Sequence, residues 1–95
     1  MVIGVCQLDL LIRENSSLKD KRRILKKILE RVKHTFNVSI AEVGNHDLWQ
    51  SAQIGFCIVG NDKRFINSSL DKVIGFIEEL NSAEIIRSEI ELLNV

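Results

Sequence analysis

The order of two hydrophobic periodicities is the feature that most restricts how this chain can fold. Residues 2–12, VIGVCQLDLLI, are almost continuously apolar and predict a strand in the middle of a sheet. A helical pattern follows, then strand patterns over 38–44 and 51–60, a second helical pattern, and a final alternating segment over 83–95. The sequence therefore predicts the order strand, helix, strand, strand, helix, strand.

This order predicts an α+β fold of the ferredoxin-like kind, βαββαβ, as a single domain over residues 1–95. Right-handed crossovers would place both helices on one face of a four-stranded antiparallel sheet, with the first and third strands at its centre. The last strand is expected at an edge, where charged residues such as Arg87 and Glu89 discourage pairing with other chains.

Local signals predict where the helices begin and end. Ser17, with Asp20 three residues later, is the expected N-cap of the first helix. Asn37 is expected to end that helix in a left-handed conformation. Asn61 or Asp62 is expected to cap the second helix, with Ser68 and Ser69 as a competing cap.

One face of the predicted sheet carries no helix. Its apolar half would be better covered by a second subunit or another partner than by water, so a homodimer is one expectation. Either the odd-numbered or the even-numbered residues of the first strand could form this face. As first assigned, the face shows Ile3, Val5, Gln7 and Asp9 beside Ile85, Arg87 and Glu89.

The chain is formally neutral, yet eight of its 13 Lys and Arg residues lie between positions 19 and 33. Such a basic helix could contact several phosphates at once, in a way that depends on salt and not on base sequence. The alternative is a merely solvated helix face. The candidate nucleic-acid-binding cations are Lys19, Lys21, Arg22, Arg23, Lys26, Lys27, Arg31 and Lys33.

Two charged residues occupy positions with apolar surroundings. Lys21 falls inside the apolar arc of the first helix, so it either has a functional role or extends its ammonium past the edge of the sheet. Glu42 interrupts an apolar strand, and it either pairs with a basic group of the first helix or turn or faces water at an edge.

The segment NHDLWQ, residues 45–50, connects the second and third strands. Trp49 and Gln50 are candidates for added specificity, because a tryptophan on a loop can stack on a base or anchor an interface. The alternative is that Trp49 folds over the end of the core. Neighbouring positions alone do not make His46 and Asp47 a catalytic pair, so an enzyme acting there is the weakest option.

Other classes of function lack their motifs. The third strand has only Phe56 where an RNA-recognition motif needs several aromatic residues, and residues 13–22 lack the glycine-rich loop of acylphosphatases. We therefore expect no catalysis, no cofactor and no metal site. A cytoplasmic protein is expected, because no segment is apolar enough to span a membrane or to act as a secretory signal. Cys6 and Cys57 are therefore expected to be reduced and to lie in the core as small apolar residues.

Three segments resemble the pattern of the YlxP-like family of small bacterial proteins. They are SLKDKR (17–22), FNVSIAEV (36–43) and DLWQ (47–50), and the match in length and element order covers the whole chain. The resemblance implies a ferredoxin-like fold and a link to RNA or ribosome maturation.

The sequence thus predicts a non-enzymatic RNA-binding protein whose first helix contacts ribosomal RNA or a ribosomal subunit. The alternative is a homodimeric or partner-binding module that uses the open face of the sheet and binds no nucleic acid.

Overall fold

The computed structural model describes residues 1–13 and 15–95 and confirms the predicted ferredoxin-like fold. A single antiparallel sheet has the strand order β2-β3-β1-β4, so the first and third strands are central and the last is at an edge. Neither helix in the described residues is long and apolar enough to cross a membrane. The elements are β1 (Val2–Leu11), α1 (Leu18–Thr35), β2 (Ser39–Gly44), β3 (Ser51–Gly60), α2 (Lys63–Glu79) and β4 (Glu84–Asn94).

Both predicted helix N-caps are confirmed, whereas the predicted end of α1 is wrong. The Ser17 hydroxyl accepts a hydrogen bond from the Asp20 amide at 3.1 Å, and the Asp62 carboxylate accepts one from the amide two residues later at 2.9 Å. The chain leaves α1 through extended backbone at Phe36, with φ −126°. Among the described residues other than glycine, the left-handed conformation is found at Asn45 and Asn81, and therefore not at Asn37.

The core lies between the helices and the face of the sheet formed by the even-numbered residues of β1. Leu8 and Leu10 are completely buried there, and α1 and α2 supply apolar side chains from above. The helix α2 approaches β1 so closely that a Cβ atom at Gly4 would overlap the side chain of Ile66. Gly4 on β1, together with Gly60 on β3, which meets the same Ile66 side chain, thus lets α2 pack closely onto the sheet.

The odd-numbered residues of β1 form the face without helices, as first assigned. Cross-strand partners share a face, and the register pairs Ile3 with Leu93 and with Val59 on its two sides. The expectation for Ile85 is wrong, because a register shift in the β1–β4 ladder places it opposite Leu10. The side chain of Ile85 therefore packs against the core.

The two cysteines lie on opposite faces of the sheet. Cys6 is fully buried in the core, as predicted, and burial together with the charge of Asp71 raises the pKa of its thiol to about 11. Cys57 is only partly buried and lies beside Val5 on the open face, so the prediction of a core position is wrong for it. Both thiols are free.

Candidate nucleic-acid interface

The amphipathic pattern of α1 separates its apolar residues from its cations. Leu25, Ile28 and Val32 are buried against the sheet. Seven cations of the helix are exposed to solvent, against two carboxylates on the same helix, Asp20 and Glu30. We call these seven residues the cationic face of α1: Lys19, Arg22, Arg23, Lys26, Lys27, Arg31 and Lys33.

Few of these cations are neutralised by neighbouring carboxylates. Arg23 lies 3.6 Å from Asp20, and Lys26 lies 3.9 Å from Glu30, both on the exposed surface, where ion pairs contribute little to stability. The other five have no carboxylate oxygen within 4.0 Å among residues 1–13 and 15–95. At a rise of 1.5 Å per residue, the face extends over about 21 Å.

The start of α1 holds its own carboxylate in the charged form. The Ser16 hydroxyl donates a hydrogen bond to Asp20 Oδ2 at 2.8 Å, and this bond is the largest cause that lowers the pKa of Asp20. The charges of Arg23 and Lys19 lower that pKa further. The first turn of the helix therefore has one fixed negative charge beside several positive ones.

Near the other end, an aromatic ring orients one of the cations. The guanidinium carbon of Arg31 lies 6.0 Å from the centroid of the Phe76 ring, within the range of a cation–π interaction. The rings of Phe76 and Phe36 pack edge to face, with their centroids 5.3 Å apart. Arg31 is thus held in place by α2 while it remains exposed to solvent.

Lys21 must be removed from the predicted nucleic-acid-binding set. Its side chain is 0% exposed, its Nζ donates a hydrogen bond to the Asn45 carbonyl at 2.6 Å, and the same Nζ lies 3.1 Å from Glu42 Oε2. Glu42 Oε2 accepts no hydrogen bond from the described residues, so this last contact is an ion pair alone. A buried ammonium with these partners cannot reach a phosphate, and it does not extend past the edge of the sheet either.

The ion pair also answers the question raised by Glu42. Of the two expectations, pairing with a basic group of the first helix is confirmed, and only 19% of the side chain is exposed. Glu42 Oε1 lies 4.0 Å from His46 Nε2, so the hairpin histidine faces this carboxylate. The described residues contain no group of three or more His, Cys, Asp and Glu that could hold a metal ion.

The hairpin over 45–50 is attached to the segment that leads into α1. The amide of Asn15 donates a hydrogen bond to the Trp49 carbonyl, and the Ile12 amide donates one to the Gln50 carbonyl at 2.9 Å. Trp49 is 43% exposed, so it does not cover the core as a lid. Together with Gln50 it lies in solvent near the start of the cationic face of α1.

Two residues that position this interface were not among the sequence candidates. Asn45 adopts a left-handed conformation, φ 59°, which turns its carbonyl toward Lys21, and its side-chain amide donates a hydrogen bond to the Ser51 hydroxyl at 3.1 Å. An Asn at the start of a tight connection is the signal that could have indicated it. Asn15 has no comparable signal, because its partner is 34 residues away in sequence.

The matching family and the matching relative have no described function, and a solved structure shows a similar fold. The model of a family described as "Protein of unknown function (DUF503)" matches residues 3–90. "Uncharacterized protein YlxP" of Bacillus subtilis (strain 168) is 38% identical over 83 residues, which cover 87% of this chain and 90% of that protein. A solved structure, "De novo designed protein Foldit4", is similar over 100% of this chain and 99% of its own, with a TM-score of 0.56 and 21% identity, and it shows the fold alone.

Proposed function

We propose that this chain, which belongs to the DUF503 family of proteins of unknown function, is a non-enzymatic protein that binds RNA through the cationic face of α1. The RNA that we propose is ribosomal, because the YlxP-like resemblance implies a link to ribosome maturation. A cytoplasmic location is part of the same proposal. The binding involves no chemical turnover.

One observation carries the proposal. Five of the seven cations on the cationic face of α1 have no carboxylate partner among the residues that the structure describes. In a formally neutral chain, a mainly solvated helix would be expected to carry acidic partners at a spacing of three or four residues. Their scarcity leaves positive charge available for phosphates over about 21 Å of helix.

The hairpin supports the proposal by adding a second kind of contact. Its anchors to Lys21 and Asn15 place Trp49 beside the start of α1, where the ring could stack on a base while the helix contacts the backbone. Gln50 offers hydrogen-bonding groups at the same place. The helix would supply affinity and the hairpin a modest preference among RNA structures.

The proposal is tested by the salt dependence of binding. Affinity for ribosomal RNA fragments, measured by fluorescence anisotropy, should fall by roughly 100-fold (single-stranded RNA) to 500-fold (duplex RNA) between roughly 50 mM and 200 mM salt if five phosphates are contacted. An affinity that does not change with salt, or no detectable binding to ribosomal RNA and intact subunits, would contradict the proposal.

A second candidate function is self-association through the open face of the sheet. Val59, Ile3 and Leu93 form a row of apolar side chains across three strands, and Val59 is 61% exposed. A second copy of the chain could cover this row. Light scattering on the wild type and on Ile3→Lys would test it: a dimer that Ile3→Lys dissociates supports this candidate, and a monomeric wild type contradicts it.

A further inference from the structure

An open cleft of about 840 Å³ lies where α1 begins and α2 ends. Arg23 and Lys27 of α1 line one side of the cleft and Glu78 of α2 lines another, while the half-buried Ile24 and Ile74 lie at its base. The start of β4 and the loop before it complete the rim. The volume is within the range of pockets that hold a small organic ligand, roughly 300–1,000 Å³.

The cleft combines three kinds of surface. Its cations Arg23 and Lys27 also belong to the cationic face of α1, so the cleft opens onto the proposed RNA-binding surface. The half-buried side chains of Ile24 and Ile74 supply an apolar floor. Polar groups, among them Glu78, supply acceptors on the side of α2.

An exposed ion pair lies at the rim of the cleft. The guanidinium of Arg13 contacts Glu84 Oε2 through two nitrogens, at 2.8 Å and 2.9 Å, so these two charges largely neutralise each other. Lys27, in contrast, has no carboxylate within 4.0 Å in the described part of the chain. The available positive charge of the cleft therefore lies on the wall formed by α1.

We infer that this cleft binds one unstacked nucleotide of the RNA, with its phosphate against Arg23 and Lys27 and its base on the floor formed by Ile24 and Ile74. The inference rests on the proposed function and deepens it. An RNA strand that follows the cationic face of α1 passes the mouth of the cleft, and unpaired bases are the part of RNA that proteins commonly extract from a stack.

The acceptor on the side of α2 predicts which bases fit. A carboxylate accepts a hydrogen bond from an exocyclic amino group, which adenine and cytosine have and uracil lacks. Glu78 would therefore favour adenine over uracil. The negative charge of Glu78 also disfavours a ligand that carries several phosphates, so a single nucleotide of a strand fits better than a polyphosphate.

The experiment compares three hairpin RNAs that differ at one position: a bulged adenosine, a bulged uridine, and no bulge. We expect the wild type to bind the adenosine bulge about tenfold more tightly than the unbulged duplex. Ser82 lies in the loop before β4 and lines the cleft, so Ser82→Trp, which puts a large side chain at the rim, should remove this advantage and leave duplex binding unchanged. Glu78→Gln should narrow the difference between the two bulges, whereas Glu79→Gln, its exposed neighbour outside the cleft, should not.

The outcomes separate this inference from the proposed function. Equal affinity for bulged and unbulged RNA, with salt-dependent binding intact, overturns the cleft alone. No salt-dependent RNA binding at all overturns the proposed function. Free AMP tests whether the nucleotide belongs to an RNA strand. If AMP displaces the bulged RNA only at high concentration, and this competition is lost in Ser82→Trp, the inference is supported. If AMP binds more tightly than the bulged RNA, the choice of an RNA strand is overturned.

Discussion

The ammonium of Lys21 lies 3.1 Å from a carboxylate oxygen of Glu42, and the lysine side chain is completely buried. The same ammonium donates a hydrogen bond to the carbonyl of Asn45 at 2.6 Å. One side chain of α1 is therefore bound to both β2 and the hairpin that follows it. Two exposed features of the proposed interface, the helix and the hairpin, are joined by a contact that neither RNA nor water reaches.

Lys21→Met should destabilise the fold by about 3 kcal/mol, because removing one partner of a buried pair leaves the other charge uncompensated. The free energy of unfolding, measured with urea, would show this. A loss smaller than about 0.5 kcal/mol would mean that the pair does not hold the hairpin.

The double variant Lys21→Met, Glu42→Leu provides the matched control. Replacing both members of a buried ion pair by apolar residues of similar size is often neutral. The double variant should thus recover most of the stability that Lys21→Met loses. No recovery would show that the hydrogen bond to Asn45, and not the ion pair, carries the effect.

Reversing charge on the cationic face of α1 should weaken RNA binding at unchanged stability. Lys26→Glu with Lys27→Glu should lower the affinity for ribosomal RNA at least tenfold and reduce the slope of affinity against salt by about two phosphate contacts. The matched control is Lys63→Glu with Lys72→Glu, which changes net charge equally on α2. Equal losses in both variants would indicate attraction by net charge and not by α1.

Trp49 is the single tryptophan of the chain, so its fluorescence reports on the hairpin. RNA that stacks on the ring should quench this fluorescence, and Trp49→Ala should cost about 1–3 kcal/mol of binding free energy. The unfolding free energy should change by less than about 1 kcal/mol, because 43% of the side chain is exposed. Fluorescence that RNA leaves unchanged would place Trp49 outside the interface.

The two thiols should react with an alkylating reagent at very different rates. Burial raises the pKa of Cys6 to about 11, so near neutral pH its thiol is protonated as well as inaccessible. Mass spectrometry of the folded protein should find modification at Cys57 first, and Cys6 should react only with unfolding. Cys57→Ser should therefore be inert in the folded state; rapid modification of that variant would contradict the assigned face of β1.

Acid should weaken the start of α1. The pKa of Asp20 is lowered below its ordinary value of 3.8, chiefly by the Ser16 hydroxyl, so its contribution to stability is fully present above that value. The contribution is lost as the pH falls through the folded-state pKa. Asp20→Asn should lower the Tm near neutral pH, and its Tm should converge with that of the wild type in strong acid. A Tm difference that stays constant down to strong acid would contradict this.

Periodicity was sufficient for the order of the elements, because each strand and each helix is long enough to show its own pattern. Successive residues of a strand point to opposite faces, so the odd-numbered residues Ile3 and Val5 share one face, and the face first assigned to them is the open one. Parity failed at Ile85, because a register shift in the β1–β4 ladder moved that residue to the other face. A bulge of this kind has no signal in a single sequence.

The site was harder to predict than the fold, because its residues meet through tertiary structure. The helical wheel placed Lys21 in the apolar arc, yet only the packing of α1 on β2 shows that Glu42 and the Asn45 carbonyl receive its charge. The cleft at the end of α2 was missed for the same reason. Its wall, floor and rim come from four elements that are distant in sequence.

The central position of β1 has a consequence for the newly made chain. The ribosome synthesises β1 before both of its neighbours in the sheet, β3 and β4. Val2 of β1 pairs with Asn94, the last residue of β4. At about 5–20 residues per second, this apolar segment waits several seconds for the last of its partners. Until then the nascent polypeptide exposes an apolar segment without its strand partners. The speed of translation and the presence of chaperones should therefore influence the fraction of chains that reach the native state.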